Sequence, residues 1–157
     1  MAYFPPPQSD SSPTSILSST AFGTSSSKTE TDIMVVSSFR EIDFSFRVTN
    51  LGTGPITEIR AQVLFSLQSG ANPYSTHPHE WSFLLAENIS GGVAAADKYT
   101  VSLDATLGTY FQNPLAASGE SFGIRAPVTG QRMMVLIWAE VGTPTSSAVT
   151  GAALRRV

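Results

Sequence analysis

Residues 76–81 read THPHEW and hold both histidines of the chain, His77 and His79, with Glu80 directly after them. Imidazole is the side chain best suited to carrying a proton or a metal ion near neutral pH. On a strand, residues 77 and 79 share a face, so both rings would meet one Zn²⁺. Pro78 stands between them, however, and a proline removes a backbone donor and argues against a regular central strand. The run SGANPYSTHP at 69–78 reads instead as an exposed loop joining two strands. A catalytic zinc site needs about three protein ligands, and no third can be identified at a distance in the chain. No metal and no cofactor are expected. Tyr74, His77 and His79 are read as possible loop contacts with a partner.

Other chemistry is equally sparse. The chain has no cysteine, which excludes disulfides, thiolate metal sites and cysteine nucleophiles. Serines are abundant, but which of them lies beside a histidine is not readable from sequence. Glu41 and Asp43 share a strand face. With Arg47, Glu58 and Arg60 they read as a solvated face with cross-strand ion pairs. No phosphate-binding or dinucleotide fingerprint occurs. Asn88-Ile89-Ser90 matches a glycosylation sequon, with no secretory signal in MAYFPPPQSD to support it. Tyr110 and Phe111 are further candidates for contact with a partner, whereas Trp81 and Trp138 are expected in the core. No catalytic residue and no enzymatic activity are expected.

Composition bounds the rest. A chain of 157 residues suits one domain with a real core. Charged residues make up 13% against a usual quarter or so, and the net charge is −3. A dedicated nucleic-acid binder carries a basic footprint, and here the one adjacent basic pair is Arg155-Arg156. No apolar run approaches the ~20 residues of a membrane span. Neither nucleic acid nor membrane is expected as a partner.

The positioning elements are strands. Residues 9–31 hold 14 serines and threonines in 23 positions, after Pro5, Pro6 and Pro7. Such a tract has little to bury, so residues 1–30 are expected to form an extended arm that orders on a neighbouring subunit. Tyr3, Phe4, Ile16, Leu17 and Phe22 would be its anchors. From residue 31 the period becomes two. Ile42, Phe44, Phe46 and Val48 fall on one face of FREIDFSFRVT, and Ile59, Ala61, Val63, Phe65 and Leu67 on one face of ITEIRAQVLFSLQ. With the Gly-rich turn NLGTGP between them, the two read as an antiparallel hairpin. EWSFLLAENI places Trp81, Phe83 and Leu85 together. KYTVSLDA and ESFGIRA add shorter strands, and RMMVLIWAEV is apolar throughout, as a strand covered on both faces would be. The fold class is all-β: an antiparallel β-sandwich or jelly-roll-like domain over 31–157 with an extended N-terminal arm.

The order FREIDFSFRVT, AQVLFSLQ, a loop, EWSFLLAE, an apolar strand ending in Trp and the closing GTPTSSAVTGAAL resembles the β-sandwich domains of tailed-phage virion proteins. It is closest to capsid decoration (cement) proteins, with related tail or baseplate domains beside them. The resemblance covers about residues 30–157 and rests on strand order and turn composition. The loop lacks the Asp-Gly often found there. The resemblance implies a bacteriophage virion structural protein, made in the host cytoplasm and located on the capsid surface. It would bind the major capsid protein as a homo-oligomer, commonly a homotrimer, and stabilise the particle. It implies no catalytic residues. The alternative is a tail- or baseplate-associated receptor- or carbohydrate-binding module, with Tyr74, His77, His79, Tyr110 and Phe111 as its loop cluster.

Overall fold

The computed structural model describes residues 6, 8–21, 23–49, 58–84, 100–104, 120–144 and 147–157. Ten strands lie among them: β1 (Thr14–Ala21), β2 (Thr29–Glu30), β3 (Met34–Val35), β4 (Glu41–Thr49), β5 (Glu58–Ser66), β6 (Ser82–Phe83), β7 (Thr100–Asp104), β8 (Glu120–Pro127), β9 (Arg132–Val141) and β10 (Ala148–Arg156). A single 3₁₀ turn, Pro78–Glu80, is the one helical element among the described residues.

The strands form two antiparallel sheets that pack face to face as a β-sandwich. The first sheet has the order β1-β10-β4-β8. In the second, β9 and β5 form the centre. β2 and β3 lie end to end along the other edge of β9, and β6 and β7 share the other edge of β5. Between β2 and β3 a side chain carries on the ladder. The Thr31 hydroxyl accepts the Val135 N–H at 3.0 Å, and the Thr31 N–H donates to Val135 O at 3.1 Å.

β4 alternates as its sequence predicts, and β5 does so at Ile59, Ala61 and Val63, whereas Phe65 is only partly buried and Leu67, expected on the same face, is 75% exposed. The two strands are not a hairpin. β4 pairs with β10 and β8 in the first sheet, whereas β5 pairs with β9, β6 and β7 in the second. The buried faces of β4 (Ile42, Phe44, Phe46, Val48) and β5 (Ile59, Ala61, Val63) belong to one core between the sheets. Period-two alternation requires only that one face be covered. It does not distinguish a partner beside the strand from one opposite. Among the described residues, no ion pair joins β4 to β5. Asp43 instead accepts from Arg125 on β8 (Nε to Oδ1, 2.6 Å) and from Arg156 on β10, and Arg60 faces Glu140 on β9 at 3.5 Å.

The apolar run of β9 is covered on both faces, as predicted. Met133, Val135, Ile137 and Ala139 enter the main core. Met134, Leu136 and Trp138 point the other way, into a second apolar cluster with Leu64 and Trp81.

The N-terminal region departs from the expected arm. β1 pairs antiparallel with β10, and Ile16 (0% exposed) and Leu17 (8%) lie in this chain's own core. Both can point inward although adjacent, because the register shifts between Ser15 and Leu17, and a bulge turns consecutive side chains to one face. Burying each of these large aliphatic side chains contributes about 1.5–3 kcal/mol toward offsetting the ordering cost of a Ser/Thr-rich strand, and the ladder with β10 satisfies its backbone. The sandwich thus takes in β1 and β2 and does not begin at 31. Tyr3, Phe4 and Phe22 lie outside the described residues. Just before β1, the Asp10 N–H donates to Arg155 O at 2.9 Å, and the Asp10 carboxylate accepts from Arg155 N–H, Nε and Nη2 at 2.9–3.0 Å. Arg155 also donates to Val35 O at 3.0 Å and lies over the Phe39 ring, so one guanidinium ties the N-terminal segment to both sheets.

Candidate functional site

The segment between β5 and β6 folds back over the outer face of the second sheet. Thr76 and His77 donate their N–H groups to Pro73 O (3.2 and 2.9 Å), which closes a turn over YST. Pro78 then takes the first position of the 3₁₀ turn, where its fixed φ is preset and its missing N–H costs nothing. Glu80 N–H returns to His77 O at 3.1 Å, and Trp81 N–H to Pro78 O at 3.2 Å.

Asn72 ties the two ends of this loop together. Its N–H donates to Glu80 Oε2 at 2.6 Å and its side-chain amide reaches the same carboxylate at 3.2 Å. Its carbonyl accepts the Trp81 indole N–H at 2.7 Å. The backbone N–H of Asn72, followed by its side-chain amide, holds the Glu80 carboxyl below the usual range, and the two imidazoles act in the same direction. Burial of the indole against Leu64, Met134, Leu136 and Trp138 anchors the loop to the sheet. At the far end of that cluster the Trp138 indole N–H donates to Glu140, and the Lys28 ammonium lies 4.8 Å from the Trp138 ring centre.

Tyr74 and Phe83 meet at the rim of the loop, with ring centres 6.4 Å apart. Phe83 is 45% exposed, because β6 is only two residues long and Phe83 pairs with Leu64 on the outer face. Trp81 and Phe83 share the outer face, as expected, but only Trp81 is buried; Leu84 turns the other way into the main core, and Leu85 lies outside the described residues. His77 is half-buried and His79 exposed, with ring centres 5.8 Å apart. Among the described residues no group of three or more histidines and carboxylates is arranged to hold a metal ion.

No protein-family model, curated protein or solved structure matches the chain.

Of the predicted loop contacts, Tyr74, His77 and His79 come together, and Tyr110 and Phe111 lie outside the described residues. Phe83, Asn72 and Thr76 join them unpredicted. No local pattern marks Asn72 or Thr76, since their roles come from hydrogen bonds across a turn. Residues 119–123 read GESFG, a G-x-S-x-G spelling that raises the question of a serine nucleophile. Ser121 lies within β8 opposite Arg47 of β4, whereas a nucleophile elbow needs a sharp strand-to-helix turn. The spelling here belongs to an edge strand. On the outer face of the first sheet, Ser15, Ser19, Ser45, Arg47, Ser121 and Thr150 line a shallow open depression of about 530 Å³. No helix of the described residues is long and apolar enough to cross a membrane. The geometry as a whole offers surfaces for contact: a latched loop whose half-buried Tyr74 meets the exposed Phe83 beside two imidazole rings, and a broad sheet face of short hydroxyl side chains.

Proposed function

We propose that the protein is a virion structural protein that decorates the outer surface of a bacteriophage capsid. The observation that carries this reading is the strand order. Apart from β2–β3 and β5–β6–β7, which stay in one sheet, the chain crosses to the opposite sheet at each step, with β10 inserted beside β1 and β9 beside β2 and β3, which supports a jelly-roll reading of the sandwich. Viral capsid and lectin domains use that architecture. Binding across subunit junctions of the major capsid protein would raise the lattice's apparent stability by mass action. Assembly as a homotrimer would cover open sheet edges such as β8, which otherwise invite unwanted strand pairing. Residues 1–7, with Tyr3 and Phe4, would reach the lattice from beside the Asp10–Arg155 clasp. Electron microscopy of purified particles tests this reading. Density for the protein on the capsid exterior is the expected result, and its absence from particles overturns it.

A second reading has one observation in its favour, the half-exposed Tyr74–Phe83 pair on a latched loop. Aromatic faces of this kind stack on sugars, which would suit a tail or baseplate receptor-binding module. A glycan array with the purified protein, and with Tyr74→Ala and Phe83→Ala, separates the two readings. Saturable binding lost in both variants favours recognition.

A further inference from the structure

We propose that His77 and His79 form a surface chelate for a late first-row divalent transition ion, with Zn²⁺ as the test case. Three observations carry it. The first is spacing. Two imidazoles that share a tetrahedral Zn²⁺, with Zn–N near 2.0–2.1 Å, hold their ring centres about 5 Å apart. Here the ring centres are 5.8 Å apart before any ion is bound, and rotation of the exposed His79 side chain closes the difference.

The second is the proton on His77. The Thr76 hydroxyl lies 3.2 Å from Pro73 O and donates its single proton there. We assign the same hydroxyl as acceptor toward His77 Nδ1, 2.9 Å away, an assignment that puts the hydrogen of the neutral ring on Nδ1 and its lone pair on Nε2. Metal-binding histidines use this arrangement, in which an acceptor behind the ring fixes the tautomer and aims the other nitrogen.

The third is the backbone. Pro78, which in the sequence argues against a strand and so against the chelate, occupies the first position of the 3₁₀ turn and fixes the chain between the two rings. The Asn72 latch immobilises the rest of the loop. Glu80, engaged with Asn72, stays out of the coordination shell and supplies a negative charge close to both rings. Two protein ligands leave the remaining positions to water, so the site is exchangeable and faces outward. It does not depend on the capsid or the receptor reading.

Calorimetric titration of the chelator-treated full chain with Zn²⁺ tests the proposal. The chain has two histidines and no cysteine, so the double variant His77→Ala/His79→Ala measures carboxylate background alone. We expect one saturable site per chain, weakened at least about tenfold by either single histidine change and about tenfold by Thr76→Val. Proton NMR of the wild type adds a readout that needs no variant: both imidazole resonances move together as Zn²⁺ is added. Wild-type binding no tighter than that of the double variant, or shifts at carboxylates with both imidazoles unmoved, overturns the proposal.

Discussion

Asp10 and Arg155 hold each other by four hydrogen bonds, one of them backbone to backbone, across a sequence separation of 145 residues. The Arg155 side chain, whose hydrogen bonds come first, holds the Asp10 carboxyl below its ordinary value of 3.8. A carboxyl depressed in the folded state adds stability that is complete above its unfolded value and lost as pH falls through the folded one. Stability should thus begin to fall at about pH 4 and continue to fall below it. Asp43, depressed by Arg125 and then Arg156, acts in the same direction. Asp10→Ala should cost about 1–2 kcal/mol at neutral pH and flatten this acid dependence. Urea unfolding of both proteins across the acid range measures it, and an unchanged acid slope would count against the clasp.

The N-terminal strand is part of the fold, so truncations should divide at the clasp. Deleting residues 1–7 should leave the urea midpoint within experimental scatter. Deleting residues 1–21 exposes the edge of β10 and removes Ile16 and Leu17 from the core, and should abolish cooperative unfolding. Ile16→Ala alone should cost about 2–5 kcal/mol. A full-length Ile16→Ala protein of wild-type stability would mean that β1 does not pack on its own sandwich.

Trp81 seals the second cluster. Trp81→Ala should cost about 3–5 kcal/mol in thermal or urea unfolding. Trp81→Phe keeps most of the apolar contact but leaves the Asn72 carbonyl without its indole donor, and should cost about 1–2 kcal/mol.

Gly151 of β10 sits between Leu17 of β1 and Phe46 of β4 in one inward-facing row. A Cβ at residue 151 would lie 2.8–2.9 Å from two carbons of the buried Phe46 ring. Gly151→Ala should therefore destabilise by about 1–3 kcal/mol, although alanine suits strands better than glycine. A neutral or stabilising result would show that the Phe46 ring has room to shift, which its contact with the tilted Phe122 ring, centres 5.4 Å apart, argues against.

Glu80→Ala removes the acceptor that closes the loop. Limited proteolysis within 67–81 should accelerate several-fold while the unfolding midpoint of the sandwich moves little. Wild-type cleavage rates would mean that the indole alone holds the loop.

Strand identity was legible where one face had to be covered. β4, β5 and β9 fall where alternation or an unbroken apolar run puts them, and the two-sided burial of β9 followed from its lack of polar positions. What covers each face was not legible. β4 and β5 look like neighbours because they are consecutive and both amphipathic, yet they face each other across the core. β1 was hidden by composition, since its Ser/Thr content resembles a solvated tract and only the bulge at Ser15–Leu17 lets two adjacent aliphatic residues turn inward. The loop could be placed from its prolines and glycine. Its latch could not, because Asn72, Thr76 and Glu80 act through hydrogen bonds that depend on the turn already being formed.

The chain has two tryptophans, and both lie in the cluster on the outer face of the second sheet. Tryptophan emission, excited selectively over tyrosine, therefore watches the loop-covered side alone, while far-ultraviolet dichroism follows both sheets. If the loop lifts before the sandwich opens, the two signals will report different transitions. Emission will also respond to anything that binds near Tyr74, His77 or His79, which gives the loop face an optical reporter already built into the chain.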